Sequence, residues 1–144
     1  MRVFSYFSHR QAPQARFFLS DILRALHNGS VLEVAADDMV RDYLTPSDFL
    51  QLIDRILQAP PYNAAIDCYS QAPVGKFELL AALGETFGLQ HSVAGDQARV
   101  NATRPKAHYY SLNRKAEQLF GYVPGDSSLS GVVREIRQQI DARD

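Results

Sequence analysis

The sequence predicts a mixed α/β domain. Short runs rich in aromatic and β-branched residues alternate with amphipathic stretches, and polar caps and glycine stops punctuate them. The length of 144 residues is one domain's worth, so residues 1–144 read as a single domain. A composition of 46% hydrophobic and 22% charged residues is enough for a packed core under a charged surface.

The first element expected is a strand at Val3-Phe4-Ser5-Tyr6-Phe7, followed by a loop over Ser8 to Ala15. A helix follows over Phe17 to His27, with Phe18, Ile22, Ala25 and Leu26 at helical spacing and Asn28-Gly29 as its stop. Val31 to Val34 and Val40 to Leu44 read as extended pieces separated by a turn over Ala35 to Asp38. Thr45-Pro46-Ser47-Asp48 is a helix start. Thr45 can accept from the free amides, Pro46 has its torsion preset, and Asp48 suits the positive helix end. Phe49, Leu52, Ile53 and Ile56 give that helix one apolar face, and Ala59-Pro60-Pro61 ends it. Tyr62 to Cys68 is a strand candidate. Gly75 opens a helix that carries Phe77, Leu79, Leu80 and Leu83 and stops at Gly88. Leu89 to Val93 is a further strand, Asn113 to Phe120 a helix stopped by Gly121. Ser127 or Ser128 starts a last helix with Leu129, Val132, Val133 and Ile136 as its stripe.

Several chemistries are excluded. The net charge of -1 gives no basic footprint for nucleic acid. One cysteine, Cys68, allows no intrachain disulfide and reads as a buried small hydrophobe. His9, His27, His91 and His108 lack metal-site spacing. The pairs Gly84/Gly88 and Gly121/Gly125 have the wrong spacing for a dinucleotide loop, and no P-loop is present. Asp37-Asp38 reads as solvated surface. No segment has the roughly 18 apolar residues a membrane helix needs. Arg2, Ser5, Ser8, His9 and Arg10 interrupt any signal-like N-terminal run, so the expected setting is cytoplasmic.

Four segments, in order, resemble the extended short-chain dehydrogenase/reductase family of NAD-dependent epimerases and dehydratases. Arg2-Val3-Phe4-Ser5-Tyr6-Phe7-Ser8-His9-Arg10 is similar to R-x-x-N-[VP]-[YF]-G-P-R. Arg41-Asp42-Tyr43-Leu44-Thr45-Pro46-Ser47-Asp48 is similar to R-D-[YF]-[IV]-x-V-x-D. Tyr62-Asn63-Ala64 with Ala72-Pro73-Val74 resembles Y-N-[IV]-G…P-V-S. Arg104-Pro105, then Asn113 to Ala116 and Leu119 to Tyr122 with Pro124, resembles R-P-G-D…S-K-A…L-G-[WF]-x-P. The resemblance covers nearly the whole chain. It implies the C-terminal, substrate-binding lobe of an extended Rossmann-type epimerase/dehydratase, without the glycine-rich cofactor-binding half.

The same resemblance implies site residues. Arg41 corresponds to an arginine gripping the nucleotide's diphosphate, Arg104 to a second nucleotide-contacting arginine. Ser5 stands where the family usually has a substrate-contacting asparagine, and Arg16 where dehydratase-like members carry a basic residue near substrate. Ser8 and His9 replace the family's Gly-Pro beside the nicotinamide, and Ala107 stands where an acid often follows the arginine. By their own chemistry, Arg41 also reads as the partner of a nearby acid, and Arg104 and Arg16 as solvated charges. The family's Tyr-x-x-x-Lys is absent, because Ala72, Ala102 and Ser111 precede Lys76, Lys106 and Lys115 by four residues. The resemblance thus implies a fragment that binds a nucleoside-diphosphate sugar, holds no cofactor itself and is inactive alone, with NAD(P) belonging to the full-length family member. A non-catalytic binding or interaction module, or one half of a split enzyme completed by a missing N-terminal half, are the alternatives. An apolar first strand without its sheet neighbours also predicts self-association.

Overall fold

The computed structural model describes residues 1–11, 17–94 and 107–142. The strands are β1 (Arg2–Val3), β2 (Leu32–Val34), β3 (Val40–Arg41), β4 (Asp67–Cys68), β5 (Val74–Gly75), β6 (His91–Val93) and β7 (His108–Tyr109). The helices are α1 (Phe18–Asn28), α2 (Pro46–Gln58), α3 (Lys76–Phe87), α4 (Lys115–Phe120) and α5 (Ser128–Asp141). The strands form small sheets: β1 with β4 and β2 with β6, both parallel, and β5-β3-β7, in which β3 is antiparallel to β5 and parallel to β7.

The helices form where capping and apolar periodicity agree. Thr45 Oγ1 accepts from the Asp48 amide at the start of α2, with Pro46 behind it. Ser127 and Ser130 cap α5 reciprocally. Gly29, Gly88 and Gly121 close α1, α3 and α4 in the left-handed conformation, with φ of 61°, 73° and 62°. Asn113 Oδ1 accepts from the Lys115 amide, so its capping role stands although α4 starts two residues after it.

Two expected strands are shorter than their composition suggests. The segment from Arg2 changes partner midway. Arg2 N donates to Ile66 O beside β4, whereas Leu44 N donates to Ser5 O and Phe7 N to Leu44 O, around a lone parallel bridge between Tyr6 and Leu44. Of Tyr62 to Cys68, only Asp67–Cys68 joins a strand; residues 62–65 are exposed and follow Pro60-Pro61. β5 and β7 were not anticipated: two residues carry no readable alternation.

The core has two parts. One gathers Ile22 of α1, Leu79, Leu80 and Leu83 of α3, Val132 and Ile136 of α5, with Phe7 and Val34. The other gathers Leu44, Leu52, Ile66, Cys68, Tyr69, Ala116 and Tyr122 around α2, β4 and α4. Cys68 is buried there, as expected of a small hydrophobe, and burial pushes its thiol pKa up.

Tyr122 pins the second part. Its hydroxyl donates to Tyr69 O at 2.7 Å, its ring meets Tyr69 edge-on at 5.3 Å, and burial pushes its pKa up. Tyr122→Phe is expected to cost about 1 kcal/mol, because the Tyr69 carbonyl is left unpaired in the core. Urea denaturation of the two proteins measures it, and an unchanged midpoint contradicts this account.

Asp48 does more than favour a helix start. Its buried carboxylate accepts from Gly125 N at 2.7 Å and Asp126 N at 3.2 Å, joining α2 to the turn before α5. Burial raises its pKa, partly offset by these amides. A raised carboxyl pKa means that the fold favours the protonated form. That contribution is present below the unfolded-state pKa and is lost as pH rises through the folded one. Asp48→Asn removes this titration, so its stability relative to the parent should rise as pH climbs through the acid range. Denaturant midpoints across a pH series test it; a flat difference would contradict it.

Candidate functional site

Arg41 lies on β3, the central strand of its sheet. Its Nη1 donates to Val40 O at 2.9 Å and Ala107 O at 3.3 Å, and its Cζ sits 6.0 Å from the Tyr109 ring centre. No carboxylate forms an ion pair with it among the described residues. The neighbouring acid points elsewhere, as strand alternation requires. Asp42 is buried, and its Oδ1 accepts from Ser70 N at 2.9 Å and from Ser128 Oγ at 3.3 Å. Among the described residues, the Arg41 guanidinium is thus braced by carbonyls and a ring.

A ring-and-cation chain continues from there. Tyr109 meets Phe4 edge-on at 5.0 Å, and the Arg2 guanidinium lies 5.5 Å from the Phe4 ring centre. Arg2 in turn grips Asp67 through Nε at 2.7 Å and Nη2 at 2.9 Å. The Arg2 hydrogen bonds, helped by Ser111, hold the Asp67 carboxyl below the usual carboxylate range.

Ser5 and Arg41 lie on adjoining segments. Ser5 O accepts from Leu44 N at 3.0 Å, three residues along from Arg41. Arg16 and Arg104 lie outside the described residues. Beyond Ser5, a groove of about 460 Å3 is lined by Tyr6, Ser8, Arg10, Gln11 and Phe17. The loop beside it is held from α5: the Glu135 carboxylate accepts from His9 N at 2.9 Å and meets His9 Nδ1 at 2.8 Å. Sequence reasoning missed Phe4, Tyr109 and Glu135. His9 and Glu135 are 126 positions apart, a separation at which no local pattern survives.

A dinucleotide loop offers a pyrophosphate open helix amides next to glycine-rich backbone, which the starts of α2, α3 and α5 do not. Here the α2 start faces Thr45, Asp48 and Asp126, the α3 start faces Glu78, and the α5 start is closed by Ser127 and Ser130. Three acids at two of these ends would repel phosphate. Among the described residues, no three His, Cys, Asp or Glu side chains gather as a metal site, and no helix is long and apolar enough to cross a membrane.

No family model and no curated protein matches the chain. Solved structures do. UDP-glucuronic acid 4-epimerase from Bacillus cereus, in complex with UDP-glucuronic acid and NAD, superposes with a TM-score of 0.79 at 15% identity, over 99% of this chain and 45% of that one. The chain has the fold of the C-terminal lobe of the NAD-dependent nucleotide-sugar epimerases and dehydratases. The dTDP-glucose 4,6-dehydratase from Bacillus anthracis, in complex with NAD, gives 0.78 at 16% identity, over 99% of this chain and 44% of that one. UDP-N-acetylglucosamine 4-epimerase from Bacillus cereus gives 0.73 at 13% identity, over 96% and 45%. The chain thus spans less than half the length of these enzymes. Within this fold, the segments carrying Arg41 and Ser5 adjoin, and Ser8, Arg10 and Gln11 border the groove.

Proposed function

We propose that this chain is a nucleotide-sugar-binding lobe, in which Arg41 grips the diphosphate and Ser5, Arg16 and Arg104 contribute further substrate contacts. The observation that carries the reading is Arg41 itself: a guanidinium braced by Val40 O, Ala107 O and the Tyr109 ring, with no acid paired to it among the described residues. In an epimerase/dehydratase fold such a preorganised fork suits phosphate oxygens. Hydride transfer is not within this chain's own means. It has neither a glycine-rich loop nor Tyr-x-x-x-Lys, so NAD(P) and the acid–base pair would come with a cofactor-binding half. The chain alone is then a binder in the cytoplasm, and the free edge of β1 favours pairing with that half or with a second copy.

Two measurements test the reading. Calorimetric titration with UDP-glucose should show saturable binding, and incubation with UDP-sugars and NAD should give no turnover. Failure to bind, or turnover by the purified chain, would overturn the corresponding half of the proposal. Light scattering at high concentration reads the association, which a strictly monomeric chain would exclude.

A further inference from the structure

An arginine that grips a diphosphate binds more tightly if it is held before the ligand arrives, because ordering a long side chain on binding subtracts from affinity. The hydrogen bonds to Val40 O and Ala107 O are both made by Nη1. They tether one corner of the Arg41 guanidinium and leave its plane to be set by what lies against its face. Tyr109 lies there. It is the register partner of Arg41 across the parallel pairing of β3 with β7, so the two side chains leave the sheet on the same face. The Arg41 Cζ is 6.0 Å from the Tyr109 ring centre, within reach of a cation–π contact.

The Tyr109 ring has support of its own. Phe4 meets it at 5.0 Å with 60° between the planes, an edge-to-face arrangement that aromatic quadrupoles favour. The Arg2 guanidinium lies 5.5 Å from the Phe4 ring centre, and the Asp67 carboxylate takes Arg2 at 2.7 Å and 2.9 Å. Asp67 is buried on β4, between Ile66 and Cys68 of the second core part. The series therefore runs from an end anchored in the interior, at Asp67, to Arg41 at the other end. We propose that Tyr109 is a positioning residue for Arg41: its ring, backed by Phe4, holds the guanidinium in the orientation in which it takes the diphosphate. The assignment rests on the nucleotide-sugar reading above and deepens it. Tyr109 acts through Arg41 and need not touch the ligand. The ring face does the holding, so phenylalanine can replace the tyrosine and leucine cannot.

The test uses the full chain and UDP, which carries the diphosphate without the sugar. Nitrogen-15 relaxation of Arg41 Nε should show an ordered side chain in the parent and in Tyr109→Phe, and a mobile one in Tyr109→Leu. Calorimetry should find UDP weakened about twofold to fivefold in Tyr109→Leu, the worth of an exposed cation–π contact, and unchanged in Tyr109→Phe. Phe4→Leu, one ring removed from Arg41, should give the same changes at smaller size, and it carries the comparison if Tyr109→Leu does not fold. In an Arg41→Ala background, Tyr109→Leu should lose no further affinity, because its effect passes through the guanidinium. An equal loss in both backgrounds overturns the proposal, since Tyr109 would then act directly on the ligand or the fold. So does Arg41 Nε order that Tyr109→Leu leaves unchanged, or a loss in Tyr109→Phe as large as in Tyr109→Leu. Absence of UDP binding by the parent overturns the nucleotide-sugar reading, whereas the Arg41 relaxation decides the positioning role by itself.

Discussion

Replacing Gly131 with valine is expected to cost about 3 kcal/mol or more of folding stability. Gly131 is buried in the first turn of α5, where a Cβ would fall well inside van der Waals contact with Thr45 Cγ2. Thr45 cannot easily yield. It is 1% exposed, caps α2 through Oγ1, and meets Ser47 Oγ at 3.0 Å and Asp126 Oδ2 at 3.4 Å. Valine adds two further methyl carbons to the clash, so either the cap breaks or α5 moves away from α2. Alanine should cost less. Its clash is smaller, and its helix propensity returns up to about 1 kcal/mol over glycine. Urea denaturation followed by circular dichroism measures both variants, with exposed Gln138→Ala as a control expected to stay within about 0.5 kcal/mol of the parent. A Gly131→Val protein as stable as the control would mean that the two helix starts do not approach so closely.

Removing the Arg41 side chain is expected to weaken UDP-glucose binding by roughly tenfold to a hundredfold. That is the range for a charge-assisted hydrogen bond to phosphate, and the guanidinium's bracing should place the loss toward its upper end. Arg41→Lys should fall between, because an ammonium keeps the charge but cannot fork. The fold should survive both changes, since Arg41 fills no core space and its only described acceptors are the Val40 and Ala107 carbonyls. Calorimetry with parent and variants reads the affinities, and circular dichroism confirms the folded state. An unchanged affinity in Arg41→Ala would place the diphosphate elsewhere.

The helices were legible because each one's instructions are local. Thr45-Pro46, Ser127 and the stops at Gly29, Gly88 and Gly121 act within a turn of their own backbone. The strands were less so: β5 and β7 are two residues each, and the Arg2 to Phe7 segment changes partners at a point that nothing in its composition marks. Arg41 could be named from its motif, but not its surroundings. A nearby acid read as its partner, but its neighbour Asp42 anchors Ser70 and Ser128 in the interior.

By itself, the sequence determined the fold class, the placement of the helices, the burial of Cys68 and the lack of a Tyr-x-x-x-Lys pair. These follow from residue type, spacing and short-range hydrogen bonding. Only the tertiary structure decided what Arg41 faces, that Tyr109 and Phe4 link it to Arg2, and that Glu135 reaches His9 across the chain. Those contacts join residues far apart in sequence. The first follows from pairing β3 with β7 beside the Arg2 segment and the last from packing α5 against the loop at His9, and no local periodicity records either.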